Sequence, residues 1–357
     1  MEPTIPSLAI IGGFLLGLAF GATVHRTHFC TMGAIADIAL FGDWRRMRAW
    51  LLAIAIAMIG AQALQLAGLI DLRASFYAAT AWPWIAAIAG GLLFGFGMTQ
   101  TGGCASRNVA RLGGGNLKSL AVLAVLAVMA LAASATLALV LPALQVLPAA
   151  ALAGPGTLGD LLAPLGLEPR AGDALAGALI VGALLLFCFR DGAFRGARRE
   201  IAAGLILGGL AVPGWLITAA EGQGFAAHAS LNFVLPLAAG GLALFGQPAG
   251  GAGFGLALIA GAVLGAFVMA KATGTFRIER FAGASDRRRH LVGAALMGTG
   301  GGLALGCTVG HGVSGVSSLA LTSILVFFAI AAGGVAGVRY LEQGSLKGAV
   351  RALLAGG

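Results

Sequence analysis

From end to end the chain repeats apolar stretches close to the ~20 residues that an α-helix needs to cross a bilayer. They fall at 7–24, 47–69, 83–98, 119–142, 173–189, 200–218, 231–246, 253–270, 290–306 and 317–339. Ala, Leu and Gly dominate them, which points to helices and away from a barrel of alternating short strands. With 59% hydrophobic and 10% charged residues, against roughly 25% charge in an average soluble domain, the chain reads as an all-α integral membrane protein. Several stretches are short or interrupted by glycine, so the expectation is about nine crossings in one membrane domain, residues 1–357.

The charges bear on orientation. The net charge is +9, and the basic residues cluster in short connections: Arg45, Arg46 and Arg48; Arg190, Arg195, Arg198 and Arg199; Lys271, Arg277, Arg280 and Arg287 to Arg289. Such clustering follows the positive-inside rule, and with no aromatic-interleaved basic domain outside the apolar segments it argues against nucleic-acid binding. Loops 43–48, 107–118 and 190–199 should face the cytoplasm, and 70–82, 143–172 and 219–230 the outside. The N-terminal stretch, without a basic n-region, reads as a retained first helix starting outside. If both 231–246 and 253–270 crossed, the basic loop 271–289 would land on the wrong side, so one of them should be re-entrant or partial. The longest break, 147–173, holds four prolines and divides a first half, 1–146, from a second half, 174–357.

Internal repetition is sharper than the hydropathy. Gly95-Phe96-Gly97 precedes Cys104 and Gly298-Thr299-Gly300 precedes Cys307, each cysteine nine residues after the first glycine of its pair. A looser copy leads from Gly13, Gly17 and Gly21 to Cys30, and "GLILGGLAVPGWL" at 204–216 reads as a fourth copy without a cysteine. The unit is a helix, a Gly-rich break with a thiol, a short polar hairpin and another helix. Irregular backbone at membrane depth is tolerated only where it is buried in protein or lines a cavity, so the breaks mark a path or a site. Consecutive amides beside Gly102, Gly103 and Gly306 could form an anion-holding nest. Pairs such as Gly13/Gly17, Gly91/Gly95 and Gly204/Gly208 also read as ordinary helix-packing contacts.

Apolar surroundings keep a buried thiol protonated, and a neutral S–H can donate to a soft anionic sulfur without repelling it. Several such donors in line would give weak, exchangeable contacts suited to passage. Cys30, Cys104 and Cys307 are the candidate stations, while Cys188 in "LLLFCFRD" lacks the glycine context and reads as core. Arg26 and Lys271 have two readings, guiding an anion or anchoring a helix end. Asp37 reads as a cap or a partner for nearby arginines.

At these residues the chain resembles the YeeE/YedE family of membrane sulfur transporters, in "GATVHRTHFCTMGAIAD" (21–37), "GFGMTQTGGCASR" (95–107), "GAFVMAKATGTFRIER" (265–280) and "LMGTGGGLALGCTVGHG" (296–312). The resemblance implies an hourglass-like helical fold in the inner membrane, multi-pass, with Gly-rich re-entrant loops and uptake of thiosulfate relayed by Cys30, Cys104 and Cys307 through S–H···S contacts. It further implies a small cytoplasmic sulfur-carrier protein as a separate partner. Two residues depart from the family pattern. Arg107 stands where a small residue is expected, and His311 where the family more often has Asn; both bear on anion preference, and Arg107 also reads as a solvated loop residue.

With no Walker motif, neither ATP coupling nor a cofactor is expected. Two other classes use the same residues. A membrane thiol oxidoreductase or sulfurtransferase would employ the cysteines as nucleophiles, with His311 or Arg107 nearby. A soft-metal transporter would bind Cu(I) or Zn with His28 and His311, against which the scarcity of Met at the breaks and the basic excess argue.

Overall fold

Nine helices of 17 to 28 residues carry the fold among the described residues. The structure is a computed structural model that describes residues 5–79, 84–144, 156–220, 228–244, 253–345, 347, 348 and 351. In chain order the helices are α1 (Ile5–Thr27), α2 (Thr31–Phe41), α3 (Arg45–Leu66), α4 (Phe76–Ala79), α5 (Trp84–Gln100), α6 (Ala105–Gly113), α7 (Leu117–Leu144) and α8 (Leu158–Leu162). They continue with α9 (Pro169–Arg190), α10 (Gly192–Gly196), α11 (Arg198–Ala220), α12 (Leu235–Leu244), α13 (Gly253–Ala272), α14 (Ala284–Ala304) and α15 (Leu321–Gln343). Between α14 and α15 lies one more helical stretch, 308–317, with a π-helical turn at Gly310–Gly315. Among the described residues eight stretches are long and apolar enough to cross a bilayer. The ninth long helix, α14, carries Asp286, Arg287, Arg288, Arg289 and His290 in its first third.

The long helices pack in a crossed pattern between the two halves of the chain. Helix α1 runs along α13 and α3 along α11; α5 packs on α15 and α7 on α14, with α5 also on α14. Exchanging α1 with α11, α3 with α13, α5 with α14 and α7 with α15 leaves these pairings unchanged. Helix α9 falls outside this exchange and packs on α3. The connecting segment is described from Gly156 onward; 147–155 lie outside the described residues.

Glycine makes the close pairs possible, because without side chains two helix backbones can touch. A Cβ on Gly17 or Gly21 would overlap the carbonyls of Leu258 or Ala262, and one on Gly261 or Gly265 those of Phe14 or Leu18. Gly95 meets the Ile330 carbonyl and Gly208 the Ala53 carbonyl in the same way. Of the two readings open for the Gly-xxx-Gly pairs, helix packing is the one these residues serve.

Polar contacts divide the bundle into two ends. At one end Arg48 pairs with Asp191 at 3.0 Å, Lys118 with Asp286 at 3.0 Å, and His25 meets Thr275 at 2.9 Å. The backbone of Leu117 bonds Glu279 at 2.9 Å there. At the other end Arg73 pairs with Asp160 and, at 2.9 Å, with Asp173, while Leu158 and Leu319 bond through the backbone at 3.1 Å. Helix α9 joins the two sets, running from Asp173 to Arg190. The basic segment 271–289 therefore shares an end with 43–48, 107–118 and 190–199. The described residues of helix α12, Leu235–Leu244, span about 15 Å.

Candidate functional site

Among the described residues four breaks interrupt the bundle. Two residues before Cys30, Cys104, Asn232 and Cys307 the backbone turns into the left-handed region: His28 at φ 56°, Gly102 at 71°, Ser230 at 48° and Leu305 at 56°. Only glycine adopts this geometry freely, so three of the four breaks hold an ordinary L-residue against its preference, an arrangement that tertiary packing must sustain. Cys30 directly precedes α2, Cys104 precedes α6 and Cys307 precedes 308–317, whereas Asn232 stands three residues ahead of α12. The polar hairpin expected after each thiol is thus a helix of about three turns. The fourth copy expected at 204–216 lies within the continuous helix α11, and its break comes later, at 228–234.

The identity of the opening residue decides what the helix start can do. Asn232 caps itself, its Oδ1 accepting from the amides of Val234 at 3.0 Å and Leu235 at 3.2 Å. Cys30 and Cys104 make no such cap. The Met32 and Gly33 amides face the Cys30 sulfur, and because sulfur is a weak acceptor such amides are held only loosely. At Cys307 the Gly310 amide donates to Sγ at 3.3 Å, and the amide of Phe233, from the Asn232 break, also faces the sulfur.

All three thiols are buried: Cys30 is 8% exposed, Cys104 1% and Cys307 0%. Cys104 lies within electrostatic range of both Cys30 and Cys307. Its Sγ shares a hydrogen bond with Ser106 Oγ at 3.3 Å. Phe29, beside Cys30, stacks on Trp50 at 4.5 Å, and Trp50 in turn reaches Gly312 in the π-helical turn. Cys188 is 0% exposed within the hydrophobic core, where its Sγ–H donates to the Arg48 carbonyl at 3.3 Å.

His311 is anchored at both ring nitrogens. Nε2–H donates to the Ala304 carbonyl at 2.8 Å, so Nδ1 accepts from Ser323 Oγ–H at 3.0 Å. The ring thus satisfies the end of α14 and sits against Gly306, where a Cβ would come within 2.7 Å of it. Tyr77 packs edge-on to His311 at 5.4 Å, donates to the Ala229 carbonyl at 3.1 Å and accepts from Asn232 Nδ2 at 3.3 Å.

The cations separate into two kinds. Arg26 and Lys271 are exposed at helix ends, with the Lys271 ammonium 4.2 Å from the centre of the Phe276 ring. Arg107 is half-buried, donates to the Val24 carbonyl at 2.9 Å and to His28 Nδ1 at 3.1 Å, and lies in electrostatic range of Cys30 and Cys104. It joins α6 to the first break and is not a solvated loop residue. Gly102 supplies its left-handed turn and a carbonyl to Arg111 at 3.1 Å, and the Gly103 carbonyl accepts from Asn108 at 2.8 Å. Asp37 pairs with Arg46 at 3.2 Å.

Sequence reasoning missed Asn232, Tyr77 and the two threonines that follow Cys30 and Cys307. The repeated Cys-Thr dipeptide at 30–31 and 307–308 was a readable signal for the threonines; nothing in "HASLNFVLP" announces a break. A cavity of about 620 Å³ lies elsewhere, at the basic end, lined by Gln100, Arg288, Arg289 and Tyr340 among others and by no cysteine. Among the described residues no group of three or more His, Cys, Asp and Glu is placed to hold a metal ion.

Two curated relatives align along nearly the whole chain. A thiosulfate transporter TsuA of Escherichia coli K12 is 28% identical over 325 residues, covering 85% of this chain and 86% of its own. A thiosulfate transporter TsuA of Spirochaeta thermophila is 26% identical over 354 residues, covering 88% and 94%. The sulphur transport family model matches residues 26–336, a span that contains the four described breaks. With that match over a chain of repeated apolar helices, this protein belongs to the sulphur transport family.

Proposed function

We propose that this chain imports thiosulfate or a closely related sulfur-containing anion through the inner membrane, passing it along the protonated thiols of Cys30, Cys104 and Cys307. The observation that carries this reading is the shared construction of the three breaks: a buried thiol opens a short helix, and Cys104 stands within range of the other two. A soft anion meets a weak S–H donor and the positive end of a helix at each station, binding well enough to enter and loosely enough to leave. Self-capped Asn232 contributes structure where a fourth thiol would stand. The basic end of the bundle, assigned to the cytoplasm by the positive-inside rule, is where a separate sulfur-carrier protein would collect the ion.

Cys307 and Cys188 offer a matched test, since both are 0% exposed in one core cluster. Removing either sulfur should therefore cost similar stability. In proteoliposomes with labelled thiosulfate, Cys104→Ala and Cys307→Ala should each lower uptake about tenfold or more, the value of a lost hydrogen bond to a charged group. Cys188→Ala should leave uptake within about twofold, as expected of a core substitution that spares folding. Equal uptake by all three variants refutes the relay. Competition by sulfate and selenate tests the anion class, and persulfide formation on turnover would mark sulfur transfer in place of passage.

A further inference from the structure

Among the described residues, five buried side-chain polar atoms have no hydrogen-bond partner within the protein, and two of them are the hydroxyls of Thr31 and Thr308. Thr31 is 2% exposed and Thr308 0% exposed. Burying an unpaired hydroxyl destabilises a fold, so each such group in a native structure requires an explanation. These two occupy the same position in different repeats: the first residue of the short helix, directly after Cys30 and Cys307. The corresponding polar group of the second break, Ser106, lies one residue further on and is engaged by the Cys104 sulfur at 3.3 Å. The self-capped third break has Phe233 at this position and leaves no orphan hydroxyl.

Thiosulfate has two chemically different ends, a soft terminal sulfur and a face of hard oxygens. A thiol suits the first; a hydroxyl donor is the better partner for the second. We propose that Thr31 and Thr308 donate hydrogen bonds to the oxygens of the transported anion while its terminal sulfur faces the adjacent thiol. The two threonines thereby orient the ion at the first and last cysteine stations and select sulfur oxyanions over sulfur species without oxygen. This rests on the reading of the breaks as the anion's path.

The test pairs Thr→Val, which keeps shape and removes the hydroxyl, with Thr→Ser, which keeps the hydroxyl, at both positions. The readouts are labelled-thiosulfate uptake in proteoliposomes and the unfolding temperature of the full chain in detergent. The expected result is that Thr31→Val and Thr308→Val lower uptake about tenfold or more, the serine variants stay within about threefold, and the valine variants unfold at the same or a higher temperature. An inert unpaired hydroxyl would give the higher temperature without the loss of uptake, and a structural one would lower the temperature; either result overturns the proposal. So does equal loss in the valine and serine variants, which would assign the effect to shape. Running Cys30→Ala and Cys307→Ala in parallel separates the claims. Normal uptake by the alanine variants with loss in the valine variants refutes the thiol relay and supports the hydroxyls; the reverse refutes the hydroxyls alone.

Discussion

The contact between Gly306 and His311 makes a prediction whose sign can be worked out. A methyl group at Gly306 would stand 2.7 Å from Cδ2 and Nε2 of the ring, whereas ordinary contact begins at 3.4 Å. The ring would have to retreat by about 0.7 Å, the difference of those two distances. It cannot do so freely, because its bonds of 2.8 Å to Ala304 and 3.0 Å to Ser323 hold it on both sides. Gly306→Ala should therefore cost about 1–3 kcal/mol, the usual range for overpacking a tight site. His311→Ala removes the ring, opens a cavity and strands the buried Ala304 carbonyl, for about 3–5 kcal/mol. In the double variant the methyl enters space the ring has vacated. The two costs should then fail to add, with a coupling of about 1–3 kcal/mol in favour of the double variant. The assay is unfolding of the purified protein in detergent across the four members of the cycle. If Gly306→Ala is as damaging without the ring as with it, His311 is not what confines this position.

Two further predictions concern the ends of the bundle. Asp286 accepts from the Ala282 amide at 3.1 Å and from Lys118 at 3.0 Å, and these bonds hold its carboxyl at about 2. Because this value lies below the ordinary ~4 of an aspartate, the stabilisation is present above pH ~4 and is lost as pH falls toward 2. Asp286→Asn should flatten the unfolding temperature across that window, and an unchanged slope would refute the assignment. At the opposite end, Asp173 has a side chain only 2% exposed and depends on Arg73 for its countercharge. Arg73→Met should cost about 3–5 kcal/mol by leaving that carboxylate unpaired in the interior. Asp160→Asn, at a side chain that is itself 25% exposed, should cost much less in the same detergent unfolding assay.

Local signals carried most of the helix reading. Apolar length alone located the long helices, because the bilayer sets a fixed span and hydropathy is summed over neighbouring residues. The spacing of Gly95 to Cys104 and Gly298 to Cys307 marked two breaks, since glycine near a polar atom in an apolar run is itself a local pattern. The break at Asn232 stayed hidden because its left-handed turns, at His228 and Ser230, use neither glycine nor a cysteine at the repeated spacing. They persist through contacts made elsewhere, such as Ser230 Oγ to the Ala211 carbonyl at 2.8 Å and Ser314 Oγ to the Leu231 carbonyl at 3.1 Å.

Composition and periodicity, then, settled that this chain is a bundle of membrane helices and that cysteines stand where helices are interrupted. Both follow from the cost of exposing backbone or charge to lipid, which every stretch of sequence meets independently of the rest. The role of each polar group emerged only once distant segments met. Arg107 gained its place through Val24 and His28, His311 through Ala304 and Ser323, and segment 271–289 its end of the bundle through Gly114, Gly115 and Leu117. A hydrogen bond has direction and short reach, so its partner is chosen by how the helices pack and is written nowhere in the neighbouring residues.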